Sequence, residues 1–149
     1  MKSSYAPPQS VRKPYFKLLT RSQLHAASQD FQNAASIIFQ ILFSSGSDVL
    51  TELDKRRLAV LAEYLQLNTK LLVNLAGHTD PKGTDEYNYI LSIERAKAVK
   101  DEFIAHGIHP SRISFSWHGS DFSVAEMKDY EAYRLERRVD IEIGIELKT

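Results

Sequence analysis

Gly77-His78-Thr79-Asp80, with Asn88-Tyr89-Ile90-Leu91-Ser92-Ile93-Glu94-Arg95-Ala96-Lys97-Ala98-Val99 downstream, decides how this chain is read. The first segment ends an apolar run and puts an acid at a strand-to-helix corner. The second carries apolar residues at helical spacing, and it sets Asn88 and Arg95 two turns apart on one helix. A carboxylate that faces a guanidinium across a small gap is a receptor for a zwitterion. The same two side chains in contact would instead form an internal ion pair that ties helix to strand. Spacing leaves both readings open.

The elements on either side follow from the same kind of reading. Residues 37–43, Ile-Ile-Phe-Gln-Ile-Leu-Phe, are rich in β-branched and aromatic side chains and read as a strand. A turn at 44–47 contains Gly46. Thr51 then caps a helix, with Asp54 as an imperfect capping box and Leu58, Leu61, Ala62 and Leu65 as its buried stripe. Residues 71–76 form a second strand. The long helix begins near Thr84, carries Asp85 and Glu86 where the helix dipole favours anions, and stops at Gly107 before Pro110. Residues 113–117 alternate as a half-buried strand. Ser123 with Glu126 forms a capping box and predicts a helix through about Arg134. Residues 139–146 alternate as a last strand with one wet face. The order is βαβαβαβ, an α+β two-layer sandwich with helices packed on a mixed sheet. Residues 1–35, with Pro7-Pro8 and Pro14, read as an N-terminal extension or linker, and residues 36–149 as the folded domain.

Composition narrows the function. The 149 residues suit one domain, and 43% apolar content suits one core. Lys plus Arg equals Asp plus Glu at 19 each, which argues against a nucleic-acid binder held by a basic field. The absence of cysteine excludes a disulfide framework, a thiolate metal site and a cysteine nucleophile. No apolar run has the length of a membrane span, and the first residues lack the apolar core of a signal peptide.

On a helical wheel Asn88, Leu91, Ser92, Arg95, Ala96, Val99 and Phe103 share one face. Leu91, Val99 and Phe103 are expected to meet the sheet. Arg95, on an apolar face, needs partners or costs several kcal/mol, on the order given for buried charges. Ile90, Ile93 and Ile104 fall together elsewhere on the helix. Such a wall calls for a cover, and the N-terminal extension is the expected one.

The chain resembles the OmpA-like peptidoglycan-binding domain of outer-membrane porin A proteins, peptidoglycan-associated lipoproteins and flagellar motor stator proteins. The resemblance rests on Gly-His-Thr-Asp at 77–80, Asn-x-x-Leu-Ser-x-x-Arg-Ala-x-x-Val at 88–99, Gly-Ile-x-x-x-Arg-Ile at 107–113 and Arg-Arg-Val at 137–139. It spans roughly residues 37–146. It implies non-covalent binding of peptidoglycan through the diaminopimelate of the stem peptide. Asp80 would hold the ammonium and Arg95 the carboxylate. Asn88, Thr79 and Leu91 would line the pocket, with Arg138 nearby. No cofactor, metal or catalysis is expected. It places the protein in the periplasm of a Gram-negative bacterium, at the outer membrane or cell wall. Envelope or flagellar-motor proteins are the implied partners, and a homodimer is compatible with the family.

The chain departs from the family at two places. Glu136 stands where Asn usually precedes the paired arginines, adding an anion that would favour the ligand's ammonium or quench Arg137. His118-Gly119-Ser120-Asp121-Phe122-Ser123-Val124 replaces a Gly-x-Gly-Glu-x-x-Pro loop.

Other groupings are weaker. His106, His109 and His118 have no carboxylate at metal-ligand spacing. His78 with Asp80 can be drawn as an acid–base pair, but no nucleophile accompanies it. Trp117 reads as a core residue. The alternative function is a protein–protein adaptor in the cell envelope that keeps the fold with an idle pocket.

Overall fold

A computed structural model describes residues 36–145. Expectations for residues 1–35, including their cover of the isoleucine wall, lie outside the described residues. Among these there are four strands, β1 (Ser36–Leu42), β2 (Leu71–His78), β3 (Ile113–Trp117) and β4 (Arg138–Ile145). Three α-helices accompany them, α1 (Glu52–Leu67), α2 (Asp85–Ala105) and α3 (Tyr130–Glu136).

The sheet order is β1-β4-β2-β3. β4 pairs antiparallel with β1 and β2, and β2 pairs parallel with β3. The parallel pair is joined through α2, as a crossover connection requires. In register, Phe39 lies beside Ile141, Ile141 beside Leu75, and Leu75 beside Phe115. These side chains share one face and meet Leu58, Leu61 and Leu65 of α1 and Val99 and Phe103 of α2 in a single core. The predicted two-layer α+β sandwich is therefore present.

Local chemistry explains the boundaries. Thr51 caps α1 with a complete box: its hydroxyl accepts from the Asp54 N–H, and the Asp54 carboxylate accepts from the Thr51 N–H. Thr84 caps α2 by accepting from the Tyr87 N–H. Arg112 closes the other end of α1, donating to the carbonyls of Leu65, Asn68 and Leu71. Gly77 lets α2 lie against β2, because a Cβ there would run into the Ser92 carbonyl.

Three expectations give way. Ser123 does not cap a helix. Its hydroxyl donates to the Glu136 carboxylate at 2.8 Å, and the helix starts later, with Asp129 as its cap. Trp117 is 46% exposed, because it ends an edge strand that only β2 borders. The last strand is not wet at Asp140, which is fully buried because β4 is central; its carboxylate accepts from Gln40 and Arg138.

Candidate functional site

The site forms where β2 ends and α2 begins. A cavity of about 210 Å3 lies between the β1–α1 turn, the β2–α2 loop and the first turns of α2. Thr79, Asp80, Asn88, Leu91 and Arg95 line it, five of the six residues named from sequence. Ser45 and Gly46 form one lip, Lys82 and Gly83 the other, and Tyr87 stands between them. These five were missed, since the turn at 44–47 carries no motif and joins the site only through the fold. The volume suits an amino-acid-sized group rather than a drug-sized ligand, whose pockets run to about 300–1,000 Å3.

Arg95 is entirely buried. Its Nε donates to the Ser47 carbonyl at 2.8 Å, Nη1 to His78 at 3.0 Å and Nη2 to Ser44 at 3.1 Å. The Phe43 ring lies 5.3 Å from its guanidinium carbon. A guanidinium has five N–H donors, so these three bonds fix its plane and leave two N–H without an acceptor among the described residues. Burial pulls its pKa down to about 10, an effect that Asp80 opposes, and the group stays charged at neutral pH.

Asp80 is 6% exposed. Its Oδ1 accepts from the Lys82 N–H at 3.0 Å, and its Oδ2 lies 3.5 Å from Arg137 Nη1. Among the described residues no ion pair joins Asp80 to Arg95. The two charges line one cavity, each held by its own set of partners, so the internal ion pair is not what forms. Asn88, 2% exposed, adds an amide whose nitrogen has no acceptor among the described residues. An orphaned donor of this kind is a cost unless a ligand oxygen meets it. Thr79 is fixed by its N–H to the Gly119 carbonyl at 2.8 Å and by its hydroxyl to the Asp80 carbonyl at 2.9 Å.

Arg138 needs correction. It does not line the cavity; it donates to Asp140 at 3.0 Å on the sheet face away from the helices. Consecutive positions entering a strand point to opposite sides, so its neighbour Arg137 is the one that approaches Asp80, at 3.5 Å, without lining the cavity itself. Arg137 donates to the Phe43 carbonyl at 2.9 Å and lies behind Asp80.

Glu136 also behaves differently from either expectation. Its carboxylate accepts from the Ser123 hydroxyl, the Val124 N–H and the Ala125 N–H, so it fastens the preceding loop and quenches neither Arg137 nor the pocket. The loop bears on the site through Gly119, which donates to Ser92 Oγ at 3.0 Å and receives Thr79.

His78 and Asp80 form no acid–base pair. The His78 ring lies 3.3 Å from Asp140 and stacks on His118 at 5.0 Å, while its carbonyl serves Arg95. Burial, the largest cause, lowers the His78 pKa, and hydrogen bonding to Asp140 works against it. Burial, followed by repulsion from His78, lowers His118 to about 4. His109 caps the turn at Pro110–Arg112, and His106 pairs with Glu102.

Residues 42–134 match the OmpA family. The chain is 36% identical over 86 residues to the peptidoglycan-associated lipoprotein of Pseudomonas putida, covering 58% of this chain and 51% of that one. Across eight of the curated relatives it matches, it spans between 24% and 66% of their length. The crystal structure of the peptidoglycan-associated lipoprotein from Burkholderia pseudomallei superposes with a TM-score of 0.67 at 26% identity, covering 70% of this chain and 89% of that one. The periplasmic domain of Helicobacter pylori MotB shares the fold, with a TM-score of 0.64 at 24% identity over 74% of this chain and 76% of that one.

Proposed function

We propose that this chain, which belongs to the OmpA family, binds peptidoglycan non-covalently and anchors an envelope or flagellar-motor component to the cell wall. The recognised group is the diaminopimelate of the stem peptide. The observation that carries the reading is the separation of Asp80 and Arg95 across one cavity, with two guanidinium N–H groups left over. The free amino-acid end of diaminopimelate matches that arrangement: its ammonium meets Asp80, and its carboxylate takes the Arg95 fork, with the Asn88 amide beside it.

The relatives' names support the wall as target, two of them being peptidoglycan-associated lipoproteins. They also support a periplasmic location at the outer membrane or cell wall. Among the described residues no helix is long and apolar enough to cross a membrane. We assign residues 36–149 to the binding domain and 1–35 to an extension. The role is binding without catalysis or cofactor. A few charged contacts in a small site give modest affinity, and many copies along one polymer raise it by avidity.

Co-sedimentation with purified sacculi tests the reading. The wild type pellets and Asp80→Ala remains in the supernatant with an unchanged circular dichroism spectrum. Equal pelleting of both would remove the proposal. The adaptor reading draws on Ile90 and Ile104, which are 52% and 37% exposed. It predicts no pelleting by either protein.

A further inference from the structure

A pocket for a zwitterion alone would accept glycine, so selectivity for a longer ligand has to come from apolar walls. Leu91 supplies one wall. The second is Tyr87. Its backbone is fixed at the first turn of α2, where its N–H donates to the Thr84 hydroxyl at 3.1 Å. Its side chain is 51% exposed. The ring spans the two lips of the cavity. A Cβ on Gly83 would lie 3.3 Å from its Cδ1, and one on Gly46 would lie 3.5 Å from its hydroxyl. Both glycines have φ in the left-handed region, at +89° and +66°. The backbone on each side thus stands back from the ring without a side chain, and the ring remains as an aromatic surface along the mouth.

We infer that Tyr87 is a ligand-contacting residue that sets selectivity, packing its ring along the methylene chain of a long zwitterion held by Asp80 and Arg95. The inference rests on the reading of that site as a receptor for diaminopimelate. The ring and Leu91 flank the chain while the two charges grip its end. A ligand without the chain gains nothing from the ring. Burial of roughly two methylenes against it is worth about a tenfold change in affinity.

The test is competition against sacculi by free meso-diaminopimelate and by glycine, with wild type, Tyr87→Ala and Tyr87→Phe. Wild type is displaced by diaminopimelate at about tenfold or more lower concentration than by glycine. Tyr87→Ala loses most of that advantage while its response to glycine stays put. Tyr87→Phe keeps it, because the ring and not the hydroxyl does the packing. Far-UV circular dichroism checks the fold, which an exposed side chain should not disturb. If Tyr87→Ala keeps the full advantage, the inference is wrong and the zwitterion site stands. Loss of the advantage in Tyr87→Phe would overturn the packing argument. If wild type pellets with sacculi but neither competitor displaces it, the site reading itself fails, and the inference with it.

Discussion

Asp80→Asn isolates charge from shape. The amide keeps an oxygen for the Lys82 N–H, now accepted at 3.0 Å, and it fills the same space. It removes the negative charge that the ligand ammonium is to meet. Two opposite unit charges about 4 Å apart interact by about 4 kcal/mol at an effective dielectric constant near 20. Arg137, 3.5 Å from the same carboxylate, already offsets part of that field. The surviving contribution is about 2 kcal/mol, or roughly thirtyfold in dissociation constant. The fold should lose less, about 1 kcal/mol, because Arg137 retains its bond to the Phe43 carbonyl at 2.9 Å. The assay is calorimetric titration with a soluble muropeptide that contains diaminopimelate, paired with urea unfolding of both proteins. A change in affinity under threefold at unaltered stability would show that Asp80 is not the ammonium's partner. A collapse in stability would show that Asp80 acts first on the fold.

Other substitutions and conditions probe the frame that holds the site. Gly77→Ala forces α2 off β2, because the new methyl meets the Ser92 carbonyl backbone; a loss of about 3 kcal/mol in urea unfolding is expected, and a loss under 0.5 kcal/mol would contradict the close approach. Glu136→Ala strips three donors of their acceptor and frees the loop at residues 123–125, which limited proteolysis should then cut faster than in wild type; equal cleavage would deny the carboxylate that role. Acid should destabilise the domain. His118 titrates at about 4 when folded against an ordinary 6.5, so the unfolded chain binds more protons between those values and stability falls as pH drops through that window. The lowered pKa of His78 acts in the same direction, and that of Asp140 extends the loss below its ordinary 3.8. Melting temperature followed from pH 7 to 4 in wild type and His118→Asn checks this; a flat wild-type curve would refute it.

Much of the fold was legible because it rests on local chemistry. Thr51 caps the helix it was expected to cap, the long helix begins beside Thr84 as expected, and the stripe of Leu58, Leu61, Ala62 and Leu65 is buried as a helical period requires. What failed depended on partners distant in sequence. Ser123 with Glu126 has the right spacing for a capping box, yet a carboxylate at Glu136 takes the hydroxyl first. Asp140 alternates with apolar residues like a solvent-facing position, and only the strand order reveals that β4 is central. Trp117 looks like core until β3 proves to be an edge.

The site divides in the same way. Asn88, Leu91 and Arg95 are readable because one helix presents them together. The carbonyls of Ser44 and Ser47 that aim Arg95 lie on a turn with no motif, far away in sequence. Tyr87 carries no signal of its own, because nothing in its segment says that two glycine lips flank it. The choice between Arg137 and Arg138 turns on where β4 begins, a boundary that pattern alone places to within a residue or two.

The structure of the domain bound to a diaminopimelate-containing muropeptide is the most direct measurement. The account predicts the free ammonium within hydrogen-bond distance of an Asp80 oxygen, the adjoining carboxylate on the Arg95 guanidinium, and the Asn88 amide turned toward the same carboxylate. A ligand seated elsewhere on the surface, or one that reaches the cavity by its glycan with Asp80 and Arg95 untouched, would contradict it.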